Sequence, residues 1–183
     1  MSAGEFAFRI GRGIGKHPLA GRLFCLTERL LPLTRIARND DLLAFHHPRP
    51  IADPHVLIVP TKPVASLTAS GINDEQRAML ISKMVELGRE VTTQLSASEH
   101  WQLVINGGVR QDIGQMHAHL MHADVYRREG TLLQEPKIGL DVWRQIFTVI
   151  HEADRIPDCG YSLEIRWGTD QPAIAKVTQS VPT

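Results

Sequence analysis

The most informative stretch of the chain reads Gln115-Met-His-Ala-His-Leu-Met-His122, which we predict to lie in a β-strand spanning 115–125. Side chains alternate across a strand, so odd and even positions face opposite sides of a sheet. One side carries His117, His119 and Met121, and the other carries Met116, Ala118, Leu120 and His122. The apolar residues of the second side suit a core, whereas the first side places two imidazoles next to each other. Without a β-bulge, His122 cannot join that pair.

Hydrophobic periodicity and turn residues predict the elements around this strand. In chain order we expect a short helix within 18–31, strands 42–45 and 55–59, a helix from Asn73 or Asp74 to Leu95, a strand 101–106, a glycine-containing loop 107–114, a helix 141–154, and a hairpin of strands 161–167 and 173–178. The first helix carries Leu19, Leu23, Leu26 and Leu30 at helical spacing. This order favours an α+β fold around an antiparallel sheet. We divide the chain into an N-terminal arm (1–20), a main domain (21–130) and a C-terminal extension (131–183) packed on the same domain.

Composition excludes several classes of protein. The chain has 183 residues, of which 43% are apolar and 22% charged, as in ordinary globular domains. Twenty basic residues balance twenty acidic ones, which argues against nucleic acid or an anionic membrane as a partner. No apolar stretch approaches the roughly 20 residues of a membrane helix. Two cysteines and the lack of a signal-peptide pattern predict a cytoplasmic protein without a disulfide framework.

Six of the nine histidines lie in two short tracts: His46, His47 and His55, then His117, His119 and His122. Three interpretations of the HxH pair stay open at this point. The pair holds zinc, with His55 or His47 as a third ligand; or one ring attacks phosphorus while a hydrogen bond fixes its tautomer; or both rings are packing residues. The loop from Asn106 to Gly114 favours an anion, because glycines let backbone N–H groups approach one. Arg110 adds a positive charge to this loop.

An ordered set of residues resembles the histidine triad (HIT) superfamily of nucleotide hydrolases and transferases. The likeness covers roughly Phe24 to Val125 and looks most like the histidine triad nucleotide-binding branch. It consists of Phe24-Cys25, Pro32, Asn39-Asp-Asp-Leu-Leu-Ala-Phe45, His55-Val-Leu-Ile-Val-Pro60, Lys62, Leu103-Val-Ile-Asn106, the glycine loop, and His117-Ala-His-Leu-Met121. The resemblance implies an antiparallel sheet of about five strands with a long helix packed on it, commonly paired into a homodimer. The C-terminal helix and hairpin then form an extension of that fold.

The resemblance also implies roles for individual residues. His119 matches the histidine that accepts a nucleotidyl group, and His117 matches the one that helps to orient it. The other matches are Asn106 near ribose and phosphate, Phe24 and Phe45 in the apolar base pocket, and His55 as a supporting histidine on the neighbouring strand.

Two positions depart from the pattern of the superfamily. The third histidine of the HxHxH signature is Met121 in this chain, which gives a variant HxHxM signature. A thioether cannot replace an imidazole as a donor or a charge. The acidic residue that usually holds the ribose hydroxyls is replaced by His47, which puts ordinary ribose recognition in doubt and offers a donor or a cationic group to a phosphate or another sugar.

We therefore hypothesise a hydrolase or nucleotidyltransferase that cleaves nucleotide conjugates at the α-phosphate through a nucleotidyl-histidine intermediate on His119. Backbone N–H groups of the loop that ends at Gly114, together with His117 and Gln115, would meet the phosphate charge. This chemistry needs no metal and no cofactor. Two alternatives are a nucleotide-binding module with weak catalysis, and a metal-dependent enzyme that uses His117, His119 and His55.

Overall fold

The computed structural model describes residues 19–95, 100–123, 131–133, 140–168 and 174–180. These residues form three helices and eight strands: α1 (Leu19–Thr27), β1 (Arg35–Arg38), β2 (Leu42–His46), β3 (His55–Pro60), α2 (Asp74–Leu95), β4 (His100–Gly108), β5 (Ala118–His122), β6 (Thr131–Leu133), α3 (Leu140–Arg155), β7 (Gly160–Gly168) and β8 (Ile174–Ser180). Residues 1–18 of the predicted N-terminal arm lie outside the described residues. None of the described helices is long and apolar enough to cross a membrane.

The eight strands form one sheet in the order β1-β2-β3-β5-β4-β7-β8-β6. All its strand pairs are antiparallel. The first five strands in this order confirm the expected antiparallel sheet, and the long helix packs on it. The predicted C-terminal hairpin is β7-β8, and it continues the same sheet. Its strand β7 pairs with β4 along the whole length of that strand, from His100 opposite Gly168 to Gly108 opposite Gly160.

The glycine loop is shorter than we predicted, because β4 continues through Gly107 and Gly108. A Cβ atom on Gly107 would lie 1.9 Å from Cζ of Tyr161, so this glycine gives the buried tyrosine ring its space. Gly108 has a φ of 59°, where a side chain is strained. Both glycines thus serve the packing of β4 against β7, which corrects their assignment to an anion-binding loop. The strand of the HxH pair is also shorter than predicted and begins at Ala118.

Different helices pack on the two faces of the sheet. One face carries the main core, in which α2 and α3 pack on apolar side chains that include Ala118, Leu120 and Leu103. The even positions of the HxH strand therefore do point into the core. On the opposite face, a small apolar cluster of Leu43, Phe45, Leu57 and Val59 is packed against Phe24 of α1. His119 lies on this second face, opposite Leu57 of β3 and Val104 of β4.

Helix α1 has the orientation opposite to the one its leucines suggest. Leu19, Leu23 and Leu26 are 56%, 48% and 82% exposed, and Leu30, which lies beyond the end of the helix, is 84% exposed. The side towards the sheet carries Gly21, which lies so close to Gln115 that a Cβ would be 2.4 Å from its Oε1 atom. Buried Glu28, just after the helix, forms an ion pair with Arg38 at 2.8 Å. The position of α1 against the sheet is therefore set by a close backbone approach and an ion pair, and not by the stripe of leucines.

Candidate active site

Four histidines gather on the second face of the sheet, and we call them the histidine cluster: His47, His55, His117 and His119. The rings of His47 and His55 are stacked with centroids 4.2 Å apart and an interplanar angle of 9°. The ring of His119 lies 5.2 Å from His55 and 5.0 Å from His117. His46 is exposed at the end of β2, and the ring of His122 lies edge-on to Trp101. The structure thus joins two members of each histidine tract.

Hydrogen bonds fix the tautomers of two rings in the cluster. The backbone N–H of Ile51 donates to Nδ1 of His55 at 3.3 Å, so this nitrogen carries no proton. A neutral His55 therefore has its proton on Nε2, which lies 2.9 Å from Nδ1 of His119. His55 is the donor in this contact and His119 the acceptor. Neutral His119 is then left with its proton on Nε2.

The other two rings have tautomers that are fixed by the backbone alone. Nδ1 of His117 lies 2.8 Å from the carbonyl oxygen of Gln115, which can only accept, so His117 carries its proton on Nδ1 and keeps a lone pair on Nε2. Nδ1 of His47 accepts the backbone N–H of Arg49 at 2.9 Å, so a neutral His47 has its proton on Nε2. The cluster therefore offers both acceptor and donor nitrogens on one face.

All four rings are neutral at neutral pH. Burial, reinforced by the charges of neighbouring histidines, lowers the pKa of His55 to about 3 and that of His47 to about 4. Burial also lowers the pKa of His117, and it holds the pKa of His119 well below the usual 6.5. A neutral imidazole is the form that acts as a nucleophile. With its pKa lowered to about 4, His47 offers an uncharged N–H rather than a cation at neutral pH, and its contact with a ligand stays a prediction.

A metal site needs a test, because one ring nitrogen from each of His47, His55 and His119 lies within 4.8 Å of the others. A histidine bound to zinc normally donates its second N–H to a carbonyl or carboxylate. Here Nδ1 of both His47 and His55 accepts a backbone N–H instead. Two nitrogens on one tetrahedral zinc are about 3.3 Å apart, whereas those of His55 and His119 are 2.9 Å apart. These contacts fit a hydrogen-bonded cluster better than a tetrahedral zinc site. His117, which the metal hypothesis included, is not in the group.

An apolar wall borders the histidine cluster, and it includes the two phenylalanines whose role in a base pocket stays a prediction. The rings of Phe24 and Phe45 lie 6.5 Å apart, and Phe45 stands opposite Leu57, which in turn stands opposite His119. Met121 is buried on the same face and stands opposite His55. These residues provide an apolar surface beside the imidazoles, which is the combination that a ligand with an apolar ring and a polar group requires.

The side chain of Gln115 does not reach this site. Its Nε2 donates to the carbonyl oxygens of Pro60 and Lys62 at 3.2 and 3.0 Å, and its Oε1 accepts the N–H of Val64 at 3.2 Å. Since both ends of the amide hold the segment after β3, the expectation that this side chain meets phosphate is wrong. Gln115 contributes through its carbonyl oxygen, which sets the tautomer of His117. Gly114 is half-buried beside it, and its role stays a prediction.

Asn106 is linked to residues that the sequence analysis did not select. Its Oδ1 accepts a hydrogen bond from Oγ of Ser162 at 2.6 Å. Arg110 donates through Nη1 to Ser162 Oγ at 3.0 Å and to Thr178 Oγ1 at 3.1 Å. Both hydroxyl residues belong to the C-terminal hairpin and are buried. The alternation of Ser162, Glu164 and Arg166 along β7 was the sequence signal for a polar face at this position.

The sequence pattern of the HIT domain matches residues 29–125, which are more than half of the chain. This region contains the histidine cluster, Asn106 and the five strands from β1 to β5. The chain therefore belongs to the HIT-domain family. Helix α3 and the hairpin β7-β8 lie outside the matched region.

Individual relatives cover a similar part of the chain. An uncharacterised HIT-like protein of Synechocystis sp. is 31% identical over 98 residues, which are 52% of this chain and 83% of that protein. A HIT-like protein of Buchnera aphidicola is 26% identical over 99 residues, 52% of this chain and 86% of its own. Among solved structures, a HIT family hydrolase from Clostridium thermocellum shares 28% identity, with a TM-score of 0.49, over 55% of this chain and 89% of that chain. A HIT family hydrolase from Legionella pneumophila shares 27% identity, with a TM-score of 0.48, over 60% of this chain and 95% of that chain.

Proposed function

We propose that this protein cleaves a nucleotide conjugate at its α-phosphate, and that a nucleotidyl group is transferred first to His119 and then to water or another acceptor. The observation that carries the proposal is the histidine cluster itself: four neutral imidazoles beside an apolar wall, in a chain of the HIT-domain family. Neutral rings are both competent nucleophiles and good leaving groups, which favours two displacements over one.

In the first step, a lone pair on His119 Nε2 forms a bond to the α-phosphorus, and the bond from phosphorus to the leaving group breaks. The leaving group departs with that electron pair and takes a proton from solvent. In the second step, water attacks phosphorus, the P–N bond breaks, and the nucleoside monophosphate leaves. Nitrogen donors around the cluster stabilise the charge on the phosphoryl oxygens.

The first step requires a change of tautomer. In the hydrogen bonds described above, Nε2 of His119 carries the proton. Attack on phosphorus requires a lone pair on that same nitrogen. Attack therefore needs the proton on Nδ1 of His119, donated to Nε2 of His55. The proton of His55 then has to lie on Nδ1, which breaks the hydrogen bond from the backbone N–H of Ile51. Solvent takes the proton from Nε2 of His119 and supplies the one on Nδ1 of His55, while the proton between the two rings passes from His55 to His119. We propose that binding of the substrate shifts this pair of tautomers, because the phosphoryl group replaces solvent at His119.

The experiment compares the wild-type protein with His119→Ala and His46→Ala on a panel of phosphoramidates, dinucleoside polyphosphates, and sugar- and lipid-linked diphosphates. We expect His119→Ala to lose turnover and His46→Ala to keep it, because His46 is exposed outside the cluster. Wild-type protein quenched in an alkaline denaturant, which preserves the acid-labile P–N bond, should carry a nucleotidyl group on His119 that mass spectrometry detects. Full turnover by folded His119→Ala would refute the nucleophile.

A binding module with weak catalysis is the second candidate, and the resting tautomer of His119 favours it, because a protonated Nε2 donates a hydrogen bond but does not attack. Tight binding of nucleoside monophosphate, without turnover of any conjugate and without a trapped phosphohistidine, would support this candidate. The nucleotide-binding branch, the homodimer and the cytoplasmic location stay predictions from the sequence.

A further inference from the structure

We infer that Ser162, which lies beyond the region matched to the HIT domain, is a positioning residue for the proposed site: it turns the amide of Asn106 so that the NH2 group faces the substrate. The inference rests on the proposed function, because it assigns Asn106 a contact with the phosphate or ribose of the bound nucleotide. It also gives the C-terminal hairpin a part in the chemistry.

The direction of the hydrogen bonds follows from the chemistry of the arginine. A guanidinium only donates, so Ser162 Oγ must accept from Nη1 of Arg110 at 3.0 Å. The single hydroxyl hydrogen of Ser162 is then available to donate to Asn106, whose side-chain atom lies 2.6 Å away. Asn106 must present its carbonyl oxygen there. With the amide reversed, its NH2 group would compete with Arg110 for the same serine oxygen, and the hydroxyl hydrogen would lose its acceptor.

The serine is held firmly enough to impose this orientation. Its side chain is fully buried, and so is Thr178, which lies opposite it on β8. Nη1 of Arg110 bridges both hydroxyls, with 3.1 Å to Thr178 Oγ1. Buried hydrogen-bonded groups with several partners keep one geometry, because each alternative leaves a polar atom without a partner.

The NH2 group of Asn106 is placed to meet a substrate. Ile105 stands opposite Ala118 in the β4–β5 pair, so the next position of β4 brings Asn106 beside His117. Asn106 and the HxH pair share the second face of the sheet. No described residue accepts a hydrogen bond from Asn106 Nδ2, so its donors remain for an oxygen of the ligand.

The test measures kcat and KM for Ser162→Ala, Ser162→Thr, Asn106→Ala and the Ser162→Ala/Asn106→Ala double variant, with Ser66→Ala as a matched control. Ser66 also hydrogen-bonds another hydroxyl, that of Thr68, and belongs neither to the histidine cluster nor to the contacts of Asn106. We expect Ser162→Ala to lower kcat/KM about 10-fold, the value of roughly one hydrogen bond. Ser162→Thr should restore most of it, and Ser66→Ala should not change it.

The double variant separates positioning from general damage to the fold. If Ser162 acts through Asn106, removing the serine costs nothing more once Asn106 is alanine. An equal loss in both backgrounds, or an unchanged kcat/KM in Ser162→Ala, would overturn the inference. If His119→Ala remained active, the proposed function would fail instead. Should Ser162→Ala not fold, the side-chain amide signal of Asn106 in the wild-type protein decides: it must shift when a nucleoside monophosphate binds, and an unmoved signal overturns the inference.

Discussion

Activity in acid should distinguish the histidine cluster from ordinary surface histidines. An imidazole with the usual pKa of about 6.5 is roughly 90% protonated at pH 5.5, so a rate that needs its neutral form would fall about 10-fold. Burial holds the pKa of His119 well below that value and lowers the pKa of His55 to about 3. His55 therefore stays neutral at pH 5.5, and the acid limb of His119 lies below that of an ordinary imidazole. We expect kcat/KM to fall by less than that 10-fold between pH 7.5 and pH 5.5.

The assay measures kcat/KM at half-unit steps from pH 5 to pH 8.5, because this parameter reports ionisations of the free enzyme. The substrate should be a nucleoside phosphodiester or phosphoramidate, since a phosphate monoester titrates in the same range. Circular dichroism at each pH serves as the control for unfolding. An acid limb with an apparent pKa near 6.5, in protein that is still folded, would refute the lowered pKa values of the buried histidines.

Three further perturbations test the same physical picture. The free energy of unfolding should be highest above pH 6.5 and fall as the pH drops towards 4, because unfolded histidines take up protons at their ordinary pKa while folded His47 and His55 do not. Each of these two residues lowers the free energy of unfolding by at most about 1.4 kcal/mol per pH unit, before solvent screening reduces the effect. Denaturant titrations at pH 7 and pH 5 measure the difference. Gly107→Ala should destabilise the protein by about 1–3 kcal/mol because its Cβ overlaps the ring of Tyr161, whereas Gly71→Ala, which has nothing within 4 Å, should be nearly neutral in the same titrations. Treatment with EDTA should leave the activity unchanged, and stoichiometric zinc with chelator-sensitive turnover would contradict the hydrogen-bond directions in the cluster.

Local alternation was sufficient to predict how the HxH strand is oriented. Ala118 and Leu120 are buried in the main core while His117 and His119 are half-buried on the other face. Side chains alternate between the two faces of a strand with a period of two residues, and a short stretch of sequence shows this alternation directly. The glycines of the preceding loop were harder to interpret. Gly107 is required by the ring of Tyr161, a residue far along the chain, so its presence alone did not distinguish packing from anion binding.

The fine structure of the site depends on contacts that no local pattern contains. The tautomer of His55 is set by the backbone N–H of Ile51. Every residue except proline has this group, so the identity of residue 51 gives no sign of the contact. The link between Asn106 and Ser162 joins positions 56 residues apart. His47 was selected as a departure from the family, but its stacking on His55 came only with the fold. The sequence indicated the histidines that lie together, and tertiary contacts determine which nitrogen of each one carries a proton.

The pairing of β7 with β4 limits how this chain can be shortened. A fragment that ended at residue 125 would keep the whole region matched to the HIT domain, yet it would leave the nine residues of β4 as an open edge. An uncovered edge of this length offers its backbone to any other strand and promotes aggregation. We therefore expect the matched half of the molecule to aggregate when it is produced alone, and expression trials should retain the final hairpin.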